Sequence, residues 1–255
     1  MPKGVYIAAS AMYVEATALD IAARNLAHTQ TTGYRRESFL RTGFANELAK
    51  QGRTEDLSGD GGGGMLAAGS YFVQAPGSIE NTGAPLDLAI EGDGYFRVQD
   101  NQGRTLLTRA GHFLTDSQGR LTTPEGWQVE GQGGQITIPP NAEKIAIDQN
   151  GRVSVFTTNN GVRRDTVIDQ LRLVTVDDPR KLQQAANGTY FDPGTLKQVD
   201  ARGTIQQGFL EKSNVEPIQE LAEMVAIQRR YDAAQKAMRE MNNAGSGFSD
   251  VLRGA

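Results

Sequence analysis

The stretch Tyr95-Phe96-Arg97-Val98-Gln99-Asp100-Asn101-Gln102-Gly103-Arg104 decides the class of the central fold. It opens with aromatic and β-branched residues, which is typical of a β-strand. It closes on the pattern D-x-x-G-R, in which the aspartate suits the first position of a type I turn and the glycine supplies the positive φ that follows. The stretch therefore predicts a strand that leads into a hairpin turn.

The same turn pattern occurs twice more, at residues 116–120 and 148–152, and Asn159-Asn160-Gly161 is a further hairpin signal. Short strand-like segments lie around these turns, at residues 89–90, 136–138, 144–147, 153–156 and 171–176. We therefore predict that residues 71–210 form an antiparallel β domain.

Residues 1–36 are predicted to form an N-terminal assembly helix. Apolar and small residues recur at intervals of four and three, which is the spacing of one helix face. The predicted seam consists of Ile7, Ala11, Val14, Ala18, Ile21 and Asn25, with Leu26 beside it. A run of threonines and Gly33 then ends the helical pattern.

Residues 211–255 are predicted to form a C-terminal assembly helix and a short tail. Pro217 suits the first turn of a helix. The predicted seam consists of Leu221, Met224, Ile227, Tyr231 and Met238. Gly245 and Gly247 are expected to end the helix.

Residues 37–70 differ in composition from both neighbours. Polar residues lead into Asp60 and four consecutive glycines, which have no side chains to pack and much backbone entropy to lose. We interpret this interval as a Gly-rich linker.

The order of helix, β domain and helix predicts an α+β fold, and two arrangements of the helices fit it. The terminal helices can pack on the sheet. Alternatively, the two seams can pair with each other as a coiled-coil-like layer, and with neighbouring subunits. The small residues Ala11 and Ala18 permit close helix approach, which favours the second arrangement.

Composition argues against several classes of protein. The 255 residues carry a formal net charge of −4, whereas a nucleic-acid binder usually carries a basic domain or stripe. The absence of cysteine excludes disulfides, thiolate zinc sites and cysteine nucleophiles. Glu15, Asp20 and Arg24 interrupt residues 7–26, so we expect neither a membrane span nor a secretory signal peptide.

The chain shows little sign of catalytic chemistry. His28 and His112 lack the spacing of metal ligands, and His28 fits a helix end better. Asp87, Glu91 and Asp93 are close enough in sequence for an acid–base pair, as in a small hydrolase. However, the glycines of residues 91–94 are typical of a bend between two strands.

Trp127 suits either a core position or a carbohydrate- or peptide-binding surface on the β domain. We expect no catalytic residue, no metal and no cofactor.

Five segments carry a resemblance to the flagellar rod and hook protein family. Residues 25–36 resemble the family pattern N-N-L-A-N-x-x-T-x-G-[FY]-[KR]. The other four are residues 87–96 (D-x-A-I-x-G-x-G-[FY]-F), 108–113 (T-R-x-G-x-F), 208–215 (G-x-L-E-x-S-N-V), and 228–232 with Lys236 (Q-R-x-[YF]-E…K). Arg24 and His28 depart from the pattern, because asparagine is usual at both positions.

This resemblance implies a non-enzymatic subunit of the flagellar basal-body rod. It further implies polymerisation through paired terminal helices into a drive shaft and export channel, with copies of itself and other rod and hook proteins as partners. The flagellar type III apparatus would export the subunit to the periplasm without a cleaved signal. No nucleic acid and no small-molecule substrate are implied. Length and the start of the chain are most similar to the proximal rod members, with the distal rod members as the alternative.

Overall fold

A computed structural model describes residues 3–43, 64–159, 162–185, 188–192, 194 and 196–253. The chain divides into two units, each built from separated segments. The helical unit combines Met1–Ala27, Glu37–Tyr71 and Glu216–Ala255, and the β unit combines His28–Arg36 and Phe72–Val215. The predicted α+β class, with a helix near each chain end and an antiparallel β domain between them, is confirmed.

The helical unit contains α1, Lys3–Ala27, and α2, Pro217–Arg253. The helices run in opposite directions, because Gly4 lies against Met241, Glu15 against Arg230 and Asn25 against Glu220. Ala18, Ala22 and Ile227 form the buried centre of their contact. The two terminal helices therefore pack against each other within one chain.

The interval 37–70 is not simply a linker. Its two ends form strands, β1 at Glu37–Gly43 and β2 at Met65–Phe72, which pair in a two-stranded sheet. Phe39 of β1 packs against the centre of the helix contact, and such long-range packing has no local sequence signal. Residues 44–63, which include most of the glycine run, lie outside the described part of the chain.

The predicted end of the C-terminal helix needs correction, whereas α1 ends at Ala27, just before the threonines that were expected to end it. His28–Arg36, assigned to the N-terminal segment, belong to the β unit. α2 continues through Gly245 and Gly247 to Arg253. A glycine lowers helix propensity by about 1 kcal/mol but keeps its N–H, so it does not by itself break the hydrogen-bond ladder.

By length and composition α1 is apolar enough, over Gly4–Ala27, to cross a membrane, which the sequence pattern did not predict. Alanines and large aliphatic residues at most other positions outweigh the three charges in the average. In the structure one face of α1 packs on α2 and includes the buried, ion-paired Glu15.

Every strand pairing described in the β unit is antiparallel. The strands are β3 Ile79–Asn81, β4 Leu88–Glu91, β5 Tyr95–Gln99, β6 Thr105–Thr108, β7 Leu114–Thr115, β8 Leu121–Thr122, β9 Gln128–Val129, β10 Lys144–Ile147, β11 Arg152–Asn159, β12 Val162–Gln170, β13 Leu173–Val176, β14 Gln183–Gln184, β15 Thr189–Phe191, β16 Gln198–Asp200, β17 Thr204–Gln207 and β18 Phe209–Glu211. The largest sheet has the order β14-β15-β6-β5-β9-β8-β7, and β5 also pairs with β13, which pairs with β16. A second sheet has the order β10-β11-β12, and β17–β4 and β18–β3 form two ribbons.

The three D-x-x-G-R turns are confirmed as hairpin turns. They join β5 to β6, β7 to β8 and β10 to β11, and each of these strand pairs is antiparallel. In the first turn the Asp100 carboxylate accepts hydrogen bonds from the amides of Gln102 and Arg104, at 2.9 and 2.8 Å. The turn glycines have φ of 78°, 77° and 80°, as the pattern requires. The fourth predicted hairpin joins β11 to β12, although Asn160 and Gly161 lie outside the described residues.

The core of the β unit contains two clusters of buried side chains. Its largest cluster of buried side chains includes Phe96 and Phe113, whose rings meet edge to face at 5.1 Å. A second cluster surrounds Tyr190, which contacts the rings of Phe72 and Tyr95. Tyr34, from the segment that follows α1, is also fully buried.

Candidate assembly site

The predicted seams divide into buried and exposed positions in the helical unit. Val14, Ala18, Ile21 and Asn25 are buried, as is Ile227 on α2. Ala11, Leu26, Met224, Tyr231 and Met238 are partly buried. Ile7 and Leu221 are exposed. The structure thus brings most of the two seams to the contact between α1 and α2 and leaves two members at the surface.

Sequence reasoning missed three buried positions on α1. Ala8 and Ala22 are buried beside the seam, and Glu15 is buried although it is charged. The two alanines extend the seam by one residue, which a wider helix face would have included. Glu15 was interpreted as an interruption of an apolar run, because its partners lie far away in sequence.

Glu15 belongs to a ring of four charges. Its Oε2 accepts a hydrogen bond from Arg230 Nε at 3.1 Å and lies 3.5 Å from a guanidinium nitrogen of Arg41. Glu223 contacts the same two arginines, at 3.1 and 3.6 Å. Burial alone would lower the pKa of Arg230, but its hydrogen bonds to the two carboxylates raise it above its ordinary value. The ring joins α1, β1 and α2 with no net charge.

Asn25 forms a second polar contact near the other end of the helix pair. Its side-chain amide donates to the carbonyl of Glu37 and accepts from the N–H of Glu37, both at 2.9 Å. The same amide nitrogen lies 3.5 Å from Oε2 of Glu220, which is itself buried. A seam position that periodicity assigned to apolar packing is therefore a hydrogen-bonding site.

Both helices also have exposed apolar faces. On α1, Tyr6 and Tyr13 are 66% and 69% exposed, one heptad apart. On α2, Ile218, Leu221 and Val225 are 82%, 50% and 55% exposed, with a spacing of three and four. At 3.6 residues per turn these positions lie on the side of each helix opposite its buried contact.

In the β unit a buried ion cluster, which we call the junction, holds the segment that follows α1. Arg35 contacts Glu211 at 2.8 Å, and Arg109 contacts the other oxygen of Glu211 at 3.4 Å. The three side chains are between 2% and 7% exposed. Arg109 also donates to the carbonyls of Ile90 and Gly92. Burial lowers the pKa of Arg109, and the nearby Glu211 opposes this shift.

The backbone around the junction is equally constrained. The N–H of Gly33 donates to the Glu211 carbonyl at 2.7 Å, and the N–H of Arg36 donates to the Asn214 side chain at 2.6 Å. Gly33 has a φ of 65°, and a Cβ there would collide with the backbone of Arg109 and Ala110. The N–H of Arg35 donates to the hydroxyl of Tyr190, whose pKa is raised by burial. The junction therefore fixes the path of residues 33–36.

Comparison with known proteins identifies the family. The model of the flagellar hook protein FlgE/F/G D1 domain matches residues 89–155, and that of the flagellar basal body rod FlgEFG protein C-terminal region matches residues 206–243. The flagellar basal-body rod protein FlgF of Caulobacter vibrioides is 34% identical over 241 residues, which cover 93% of each chain. The chain belongs to the flagellar basal-body rod protein family.

Relatives with two different names resemble this member of the rod family. FlgG of Bacillus subtilis is 30% identical over 251 residues, covering 92% of this chain and 94% of the relative. FlgF of Salmonella typhimurium is 28% identical over 246 residues, covering 93% of each chain. The comparison thus shows the rod family as a whole, and the proximal position stays a prediction.

In the structure, rod-family segments that lie far apart in sequence come together. Residues 25–36 supply Arg35, residues 108–113 supply Arg109, and residues 208–215 supply Glu211 and Asn214, which together build the junction. The two departures from the family pattern are accommodated locally. Arg24 pairs with Glu37 at 3.3 Å, and His28 bonds Thr31 and stacks on Tyr34.

The residues considered for catalysis have ordinary structural roles in this rod-family chain. Nδ1 of His112 lies 2.6 Å from the Asp87 carboxylate, and the two residues form an isolated antiparallel β-bridge. Residues 91–94 form the predicted bend between β4 and β5, and Glu91 accepts a hydrogen bond from Gln206. Trp127 packs partly against the core and also lines a surface groove with Phe191. Among the described residues, no group of three or more His, Asp or Glu side chains is placed to hold a metal ion.

Proposed function

We propose that this chain is a structural subunit of the flagellar basal-body rod that contacts its neighbours through the outward faces of its paired terminal helices. Membership of the rod family supports the structural role. The single observation that supports the mechanism is the pair of exposed apolar faces opposite the contact between α1 and α2.

The energetics of these faces favour association. Full burial of a large apolar side chain contributes roughly 1.5–3 kcal/mol relative to leaving it in water. Tyr13 and Ile218 are more than two-thirds exposed, and Leu221 and Val225 are about half exposed. A neighbour that covered these side chains would gain several such contributions at every copy of the contact.

The predicted seams therefore have two roles in the proposal. Val14, Ala18, Ile21 and Ile227 act indirectly, because they hold α1 against α2 within the subunit. Ile7 and Leu221 are exposed and contact neighbouring subunits. The paired helices form a coiled-coil-like layer around the export channel, and each subunit adds to copies of itself and to other rod and hook proteins.

Localisation forms part of the same proposal. We infer that the flagellar export apparatus delivers the subunit to the periplasm without cleavage of a signal peptide, and that it assembles in the proximal rod. Relatives named as basal-body rod proteins support the basal body as its place of action.

The test is swimming in a strain whose only copy of the gene carries a substitution on the outward face of α2. Leu221→Asp places a charge in the proposed contact, where an unpaired charge costs several kcal/mol, and should abolish swimming. Leu221→Met keeps the side chain apolar and of similar size, so it should preserve swimming. Ala233→Asp adds the same charge at an exposed position away from the apolar face and serves as the second control.

Secretion of each variant is measured separately, because failed export also abolishes swimming. Normal swimming of the exported Leu221→Asp variant would contradict assembly through this face. Equal loss with Ala233→Asp would show a general sensitivity of α2 to charge rather than a specific contact.

A further inference from the structure

The contact between α1 and α2 contains two polar layers separated by small apolar side chains. The first is the charge ring of Glu15, Arg41, Glu223 and Arg230. The second is Asn25 with Glu37 and Glu220. They lie about three turns of α1 apart at 3.6 residues per turn.

The apolar centre between the layers is poorly suited to fix one alignment. Ala18 and Ala22 of α1 meet Ile227 of α2 there, Ile21 of α1 is also buried, and Leu19 lies at the edge. The small α1 side chains present similar surfaces at successive turns, so by themselves they discriminate little between registers that differ by a heptad. The polar groups on either side of them are more costly to mismatch.

The polar layers have that property. If α2 slides by seven residues in one direction, the buried carboxylate of Glu15 faces Glu223, a like charge. If it slides by seven in the other direction, Glu15 faces Ala237 and Asn25 faces Ile227. Either shift takes Arg230, which donates a hydrogen bond to Glu15, away from that buried carboxylate and leaves it with Arg41 alone. Removing one partner of a buried ion pair costs more than a change in apolar packing.

We infer that the Glu15 and Asn25 layers are the specificity determinant of the helix pair, committing α1 to α2 in one antiparallel register. The biological use of a fixed register rests on the proposed function. A subunit surrounded by similar helices must keep one helix face inward and present the other face to its neighbours. The polar layers define the inward face, and the exposed faces with Tyr13 and Leu221 are thereby presented to neighbours.

The test uses disulfides as reporters of register in the purified, unassembled full-length protein. The chain has no cysteine of its own, so an introduced pair is the only route to an intramolecular disulfide. Gly4→Cys with Met241→Cys reports the observed register, because Met241 lies directly against Gly4. Ala11→Cys with Met241→Cys, and Gly4→Cys with Ala234→Cys, report the two registers shifted by a heptad.

In the otherwise unchanged protein we expect the disulfides of the shifted registers to form at least about a hundredfold more slowly than that of the observed register, because both shifts separate the buried Glu15 from Arg230. The double substitution Glu15→Leu and Asn25→Leu should bring the three rates within about tenfold, since only apolar packing then remains. Asp20→Leu removes an acid from the exposed side of α1 and should leave the rates as they are.

Three results would overturn the inference. The register is set by other groups if the double variant still forms only the disulfide of the observed register. It is not specified at all if the shifted disulfides already form readily in the unchanged background. If the double variant forms none of the three disulfides, the polar layers are needed for the two helices to pair at all, rather than only to set their register. No rod is present in this assay, so its failure is distinct from a failure of the swimming test.

Discussion

Removing the charge of Glu211 should destabilise the β unit severely. This carboxylate contacts both arginines of the junction, Arg35 and Arg109, at 2.8 and 3.4 Å. Glu211→Gln keeps the size and one acceptor oxygen, which receives the N–H of Gly77 at 3.0 Å in the native protein. The substitution therefore leaves two buried guanidinium groups without the carboxylate that contacts them, and with little change in packing.

The expected loss in the free energy of unfolding is about 3–5 kcal/mol, the usual cost of breaking a buried pair by removing one partner. That is a large part of the roughly 5–15 kcal/mol that stabilises an ordinary domain. Glu80→Gln is the matched control, because Glu80 pairs with the adjacent residue Lys212 at 2.6 Å on the surface. Both partners of that pair are more than half exposed, so its loss should cost about 0–1 kcal/mol.

Urea unfolding of the full-length protein measures both values. Trp127 is the chain's single tryptophan and lies in the β unit, so its fluorescence reports the unfolding of that unit alone. Equal losses for Glu211→Gln and Glu80→Gln would refute the reasoning, because they would mean that water reaches the junction and screens its charges. A large loss at Glu211 alone would support a dry junction that fixes residues 33–36.

Three further predictions concern the turns and the absence of catalysis. Gly151→Ala should lower the free energy of unfolding by about 2 kcal/mol and Gly103→Ala by about 1 kcal/mol in thermal melts. Both glycines have φ near 80°, but only a Cβ at Gly151 meets packed atoms within 3.3 Å. Equal losses would contradict this. Desolvation raises the pKa of Asp100 and of Asp116, but hydrogen bonds within the turns outweigh this and bring both pKa values below the ordinary value of 3.8. The stabilisation that these two carboxylates contribute should therefore be complete above pH 3.8 and be lost as the pH falls through the lowered values. Unfolding midpoints that stay constant below pH 3.8 would disprove this. Glu91→Ala should leave swimming unchanged, and lost swimming with an intact fold would revive a catalytic role.

The turns show where sequence reasoning was sufficient. In each D-x-x-G-R turn the aspartate side chain and the glycine conformation act within five consecutive residues, so the sequence contains the complete cause of the structure. The hairpins around those turns were predicted correctly for the same reason. The partners of the other strands, such as β4 with β17 and β3 with β18, are more than 100 residues apart and have no local signal.

The two helices show where reasoning from the sequence was insufficient. Val14, Ala18 and Ile227, which periodicity assigned to the seams, are buried. Periodicity could not show that Glu15 lies inward as well, because burial of that carboxylate depends on Arg41 and Arg230 from two other elements. Glycine composition likewise gave the wrong end for α2 and concealed the strands that flank residues 44–63.

The sequence by itself determined the α+β class, the hairpin turns and the rod-family resemblance, because these depend on residue types at short fixed spacings. Only the tertiary structure decided how the family segments combine. Arg35, Arg109 and Glu211 are separated by 74 and 102 residues of chain, yet they form one buried cluster. The physical reason is that a buried charge is stable only beside its counter-charges, and the fold rather than the order of residues brings those together.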